Sequence, residues 1–160
     1  MKLNNSFKLI IALGVPLFIG WVGSLFTAPA IPVWYNSLAK PALNPPNWIF
    51  MPVWTLLFVL MGIAAFLVWR KELNKKAMKM ALAIFIFQLF LNVFWSLLFF
   101  GMHNPMVAFT EIISLWFAII ALLLAFYQVS RPAAYLLIPY VLWVSFATYL
   151  NYAIWQLSVR

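Results

Sequence analysis

Cysteine is absent from this chain. Its absence excludes disulfides, thiol catalysis and thiolate metal sites, and it leaves the compartment open. The chain has one histidine, His103, and two acids, Glu72 and Glu111. One imidazole without a thiolate does not make a zinc or haem-ligating set from protein groups alone. A Ser-His-Asp arrangement finds no support either. Glycine is scarce at 5 residues while tryptophan reaches 9, so the interior is expected to be aromatic-rich. Charged side chains make up only 8% of the chain, against about a quarter in a soluble domain.

Hydrophobic residues fill the gap. They account for 68% of the 160 residues, and the mean hydropathy is +1.04. This composition predicts an all-α integral membrane protein, a five-transmembrane-helix bundle with a long structured first loop. The length allows about five spans at roughly 20 residues each, within one domain over 1–160. The first span is predicted over about Leu9–Phe26, kinked at Pro16, and retained because no small-residue cleavage site follows it. The long loop then covers Thr27–Asn47. The second span is predicted over Phe50–Trp69, with Pro52 in its first turn, where a missing N–H costs little. Arg70–Lys79 reads as a charged turn and Met80–Phe100 as the third span, with Gly101 as a helix stop. Asn104 and Pro105 read as an N-cap and first helical residue, opening a fourth span that reaches Val129. Ser130 and Pro132 repeat that signal for a fifth span, bent at Pro139 and ending near Leu157.

The formal net charge is +8. The basic residues sit at span ends and form no groove-sized patch, so nucleic acid is not the predicted partner; anionic membrane lipid is. Their distribution predicts the orientation. Lys2, Lys8, Arg70, Lys71, Lys75, Lys76, Lys79 and Arg131 fall on one side, and Lys40 and Arg160 on the other. The positive-inside rule then places the N-terminus in the cytoplasm and the long loop outside, in a bacterial plasma membrane.

That loop and the start of the second span read WYNSLAKPALNPPNWIFMPVW, from Trp34 to Trp54. Tryptophan and tyrosine suit a membrane interface. Proline-rich backbone cannot cross bare lipid, because its polar groups would go unpaired. The segment therefore reads as a rigid cover over the bundle and a plausible lid for a flat, apolar ligand. Few polar groups lie within the spans. Glu111 is about two turns into the fourth, where an ionisable group costs roughly 2.5–3.5 kcal/mol and normally faces protein or water. It reads equally as a ligand or proton contact and as a hydrogen-bonded acid locking helices together. Gln88 and Asn92 are one turn apart, with Trp95 three residues on; Ser145, Thr148 and Asn151 lie on the fifth span. Such amides are often interhelical ties, worth about 0.6–2 kcal/mol. Together they can also supply the polar points of a mostly apolar pocket.

WYNSLAKP and PPNWIF-PVW, then LNVFWSLLFFG, AFTEIISLW and LLIPYVLWVSFATYLNYAIW, follow one another in this order. In these segments the chain resembles the TspO/MBR family, the tryptophan-rich sensory proteins of bacteria and the mitochondrial translocator protein. The resemblance covers almost the whole chain. It implies a five-helix bundle, commonly a homodimer, that binds porphyrins and benzodiazepine-type ligands in a pocket beneath the first loop. It implies that Trp54, Asn92 and Trp143 face the ligand, and that Tyr35, Pro45, Phe58, Trp95, Glu111, Phe146 and Ala147 line the site. Porphyrin is implied as ligand or substrate, with no covalently bound cofactor. Two departures stand out. Leu43 replaces the usual tryptophan of the KPxWxPP motif. After Tyr152 the next basic residue is Arg160, too distant for the sterol motif of mammalian members, so sterol binding is not carried over.

Three functions follow. The first is a membrane receptor or sensor for tetrapyrroles. The second is light-dependent oxidative degradation of protoporphyrin, with Trp54 and Trp143 as the catalytic residues. The third, a tetrapyrrole or lipid transporter, gains little from five spans without repeat symmetry. Gly20-x-x-x-Ser24 and Ala121-x-x-x-Ala125 offer close-approach surfaces for self-association.

Overall fold

A computed structural model describes residues 4–71 and 75–159 of the chain. Lys2, Glu72 and Arg160 lie outside them. Five helical stretches are long and apolar enough to cross a membrane: Asn5–Tyr35, Asn47–Trp69, Lys75–Gly101, Pro105–Val129 and Arg131–Ser158. The predicted all-α, five-span architecture holds. The helices are α1 (Asn5–Ala30), α2 (Phe50–Trp69), α3 (Lys75–Ser96), α4 (Pro105–Val129), α5 (Arg131–Leu136) and α6 (Ile138–Ser158), the last two forming one span.

The first span does not stop at Phe26. It runs through Pro16 and Pro29 and widens into a π-turn over Ile31–Tyr35. Pro29 and Pro32 each remove a backbone donor, and a π-turn is one way a helix absorbs such a defect. Packing holds the extension in place. Tyr35 is buried, its ring against Phe50, Phe99 and Phe100. Its hydroxyl donates to Asn44 Oδ1 at 2.6 Å. The irregular loop is therefore shorter than predicted. It is also well tied: Asn47 Nδ2 donates to Asn36 Oδ1 at 2.7 Å. Lys40 Nζ donates to the carbonyls of Asn36 and Leu38 and lies 5.0 Å over the Tyr35 ring.

One other boundary shifts, and two of the predicted end signals act differently. The third span starts at Lys75, so Lys75, Lys76 and Lys79 are helical rather than part of the turn. Lysine is a good helix former, so the basic run continues the helix instead of ending it. Gly101 does not stop the helix by taking up a left-handed conformation. The helix loosens into a π-turn over Leu97–Gly101, and the positive φ, 53°, falls on His103. The His103 ring stacks 4.4 Å from Trp34, which couples this turn to the end of the first span. Asn104 caps α4 as predicted, accepting from the Val107 N–H at 3.1 Å. Ser130 does not cap α5 with its side chain.

The α4 helix carries a buried stripe at Ala108, Glu111, Ile112, Leu115, Ile119, Leu122 and Phe126, and packs between α3 and α6. The α1 and α2 helices pack along each other and meet most closely at Gly62, where backbone of α1 at Ala12 and Leu13 fills the space a side chain would need. The fifth span is broken at Leu137, just before Pro139, as predicted. Below the break α5 packs on both α2 and α4; above it α6 stays on α4 and meets α2 only through long side chains such as Trp54 against Tyr140. That divergence opens space at the loop end of the bundle.

Candidate functional site

The space is a partly open cavity of about 750 Å³ bordered by α1, α2, α3, α6 and the loop end at Asn47–Trp48. That is within the range of ordinary small-molecule sites. Of the ten residues predicted to line a site, Tyr35, Trp54, Phe58, Asn92, Trp95, Trp143 and Ala147 border this cavity. Pro45, Glu111 and Phe146 are not among its lining residues. Pro45 lies in the irregular loop, and Asn47, Trp48, Phe50 and Met51 line the cavity on that side of it. Leu43, the departure from the family motif, is 67% exposed and borders nothing here. Phe146 touches the cavity only through Trp143, with ring centres 5.8 Å apart.

The aromatic walls are held by one another. Trp54 stacks on Phe58 at 5.7 Å and meets the Tyr140 ring edge-on at 6.3 Å. Trp143 meets Phe50 edge-on at 6.1 Å. Trp95 stacks on Phe99 at 5.3 Å. Such pairs contribute about 0.5–1.5 kcal/mol beyond their area, enough to hold an indole face toward an empty space.

The polar groups behind these walls form two chains. Asn92 Nδ2 donates to the Tyr140 hydroxyl at 3.1 Å, which donates to Gln88 Oε1 at 2.8 Å. Gln88 Nε2 in turn reaches Met61 Sδ at 3.7 Å. Trp95 Nε1 donates to Asn151 Oδ1 at 3.0 Å, and Asn151 Nδ2 donates to the Pro105 carbonyl at 2.7 Å. Both chains cross between spans, so Gln88 and Asn151 act as interhelical ties. Asn92 does two things at once: it belongs to a tie and it borders the cavity.

Two buried groups have no hydrogen-bond partner among the described residues: the Trp143 indole N–H and the Glu111 carboxyl. The first belongs to a residue of the cavity wall. The second sits on the buried face of α4, behind the wall rather than in it. Tyr140, the hub of one chain, was not marked by the sequence reading as a site residue. Its only signal is a hydroxyl in the middle of an apolar span, which needs a partner. Trp21 and Trp48 also border the cavity and likewise went unmarked.

The fold and the cavity define a class: a helical integral membrane protein with a ligand-sized, indole-walled chamber between its spans. The chain belongs to the TspO/MBR family, whose sequence profile matches residues 12–156. It is 44% identical to the tryptophan-rich protein TspO of Chlorobaculum tepidum, over 94% of this chain and 95% of that one. It is 42% identical to the protein of that name from Archaeoglobus fulgidus, over 96% and 99%. It is 40% identical to the human translocator protein, over 85% and 81%. Membership supports a receptor or sensor role in a membrane.

Proposed function

We propose that the chain is a membrane receptor for flat, largely apolar ligands, porphyrins and benzodiazepine-type molecules among them, bound in the aromatic cavity. The observation that carries this reading is the cavity itself: indole faces of Trp54, Trp95 and Trp143 around about 750 Å³, with few polar points. One of the lining residues, Trp143, holds a buried N–H with no partner. A modest turn of that indole would bring its N–H to the cavity, where a ligand carbonyl or carboxylate would supply the missing acceptor.

Titrating purified protein with porphyrin, first in darkness and then in light, tests the reading. Saturable quenching with a stable pigment supports a receptor. Conversion to a new pigment that depends on Trp54 and Trp143 supports photo-oxidative breakdown instead. Trp54→Phe keeps most of the ring and removes the N–H, so affinity should fall about three- to tenfold. Asn92→Leu should do the same, and Lys75→Ala should do little. If Trp54 and Asn92 only hold helices together, both variants will lose thermal stability with unchanged dissociation constants, and the site assignment fails.

The orientation proposed is N-terminus in the cytoplasm of a bacterial plasma membrane, with the tryptophan-rich loop outside. Reporter fusions after Lys71 and after Val159 should report opposite sides; the same side for both would refute it. Homodimerisation is proposed to use the Ala121–Ala125 face, since Gly20 already packs against the Phe58 ring within the chain. A strictly monomeric mass in lipid discs would count against a dimer.

A further inference from the structure

The opposite end of the bundle holds a second hollow, of about 410 Å³, that shares no lining residue with the aromatic cavity. Leu67, Arg70 and Lys71 border it from the end of α2, and Val129, Ser130, Arg131 and Pro132 from the junction of α4 and α5. We infer that this hollow binds a phosphate group through Arg70, Lys71, Arg131 and the Ser130 hydroxyl.

Three cations converge on one concave surface, and Glu111, the one acid among the described residues, is not part of it. Glu72 follows Lys71 in sequence, but the same end also carries Lys75, Lys76 and Lys79, so it stays strongly positive. Both arginines are held in place by rings, and neither donates a hydrogen bond to a described residue. The Arg70 guanidinium lies 5.7 Å over the Phe66 ring and that of Arg131 lies 5.4 Å over Tyr127. Stacking occupies a face of the guanidinium and leaves its N–H edges free for a tetrahedral oxyanion.

Ser130 is the independent observation. It is 7% exposed and its backbone is extended, between two helices. Its N–H donates to Phe126 O and its carbonyl accepts from Ala134 N. Its hydroxyl caps neither helix, yet the residue borders the hollow. A serine that is more than nine-tenths buried, whose hydroxyl bonds no described residue and which shares the lining of this hollow with three cations, is a donor for an anion. The neighbouring span ends, Trp69 and Val129, put the hollow at headgroup depth, with Leu67 and Val129 as an apolar floor. Phosphate at that depth can come from an anionic phospholipid or from a free phosphate anion.

The test uses the full-length protein in discs of neutral phosphatidylcholine. One arm adds phosphatidylglycerol and reads retained lipid by native mass spectrometry. The other adds inorganic phosphate and reads binding by calorimetry. In whichever arm binding is saturable, Arg70→Gln combined with Arg131→Gln should weaken it about tenfold or more, and Ser130→Ala about threefold. Lys40→Gln, at the other end of the bundle, should leave it unchanged. Retention of phosphatidylglycerol alone identifies a lipid site, and calorimetric binding of phosphate identifies a free anion; each supports the phosphate assignment. Should the double variant fail to fold, Ser130→Ala, which removes one oxygen atom, decides. Binding in neither arm, or binding unaltered in variants that keep the native melting temperature, overturns the inference. Porphyrin titration of the same variants keeps this result separate from the receptor reading, since the two sites share no residue.

Discussion

Gly62→Ala is expected to destabilise the bundle by about 1–3 kcal/mol, the usual range for overpacking a closed interface. A methyl group there would lie 2.7 Å from the Ala12 carbonyl oxygen and 2.9 Å from the Leu13 Cα. Those are backbone atoms of α1, which cannot rotate away as a side-chain end can. The helices must separate, and α1–α2 contact is among the most extensive in the fold. Gly14→Ala is the matched control. A methyl at Gly14 meets nothing within 4 Å, so the gain in helix propensity, about 0.5–1 kcal/mol, should leave that variant as stable or slightly more so. Thermal unfolding in one detergent, followed by tryptophan fluorescence, compares the two. Equal melting temperatures for both variants would mean that the helices do not meet as closely as described.

Tyr140→Phe should cost about 2 kcal/mol. The lost hydroxyl accepts from Asn92 and donates to Gln88, and both Gln88 and Tyr140 are essentially inaccessible. Removing it leaves the Gln88 carbonyl oxygen without a donor, at a cost of about 1–3 kcal/mol for a stranded buried group. Single polar contacts in membrane bundles average nearer 0.6 kcal/mol, because the separated helices find other partners. The higher figure applies here because two contacts go at once and the site is closed. Tyr135→Phe, at a residue 57% exposed, should change nothing measurable. A loss for Tyr140→Phe no greater than for Tyr135→Phe would show that the chain of polar groups contributes no stability.

The spans were legible because each is a long apolar run bounded by charge, proline or asparagine. Asn104 and Pro105 mark the start of α4 to the residue. The ends that slipped share a cause. Thr27 to Tyr35 looks like loop because it holds Pro29 and Pro32, yet burial of Tyr35 against Phe50, Phe99 and Phe100 keeps it helical. A tertiary contact overrode a local signal. The inward faces of the spans were harder to read. In a soluble helix polarity separates the two faces, but here lipid-facing Phe87, Phe90 and Phe94 are as apolar as buried Phe85. The rare polar residues supplied the contrast that was missing. An amide and an indole in a span demand a neighbour, which marked Asn92 and Trp95 as tie or wall, and the family resemblance put them at the site. Pattern alone did not separate residues on the wall from residues behind it, and Glu111 falls on the far side.

The break at Leu137 gives the chamber an unusual kind of adjustability. The walls are aromatic pairs locked to one another, so altering any one of them disturbs its neighbours. The angle between α5 and α6 is set elsewhere, by a proline that borders neither hollow. A change at that point moves the whole of α6 as a door moves on its hinge, widening or narrowing the chamber while every contact face keeps its chemistry. Ligand size and ligand chemistry are thereby controlled from different places in the chain, and a lineage can retune the first without relearning the second.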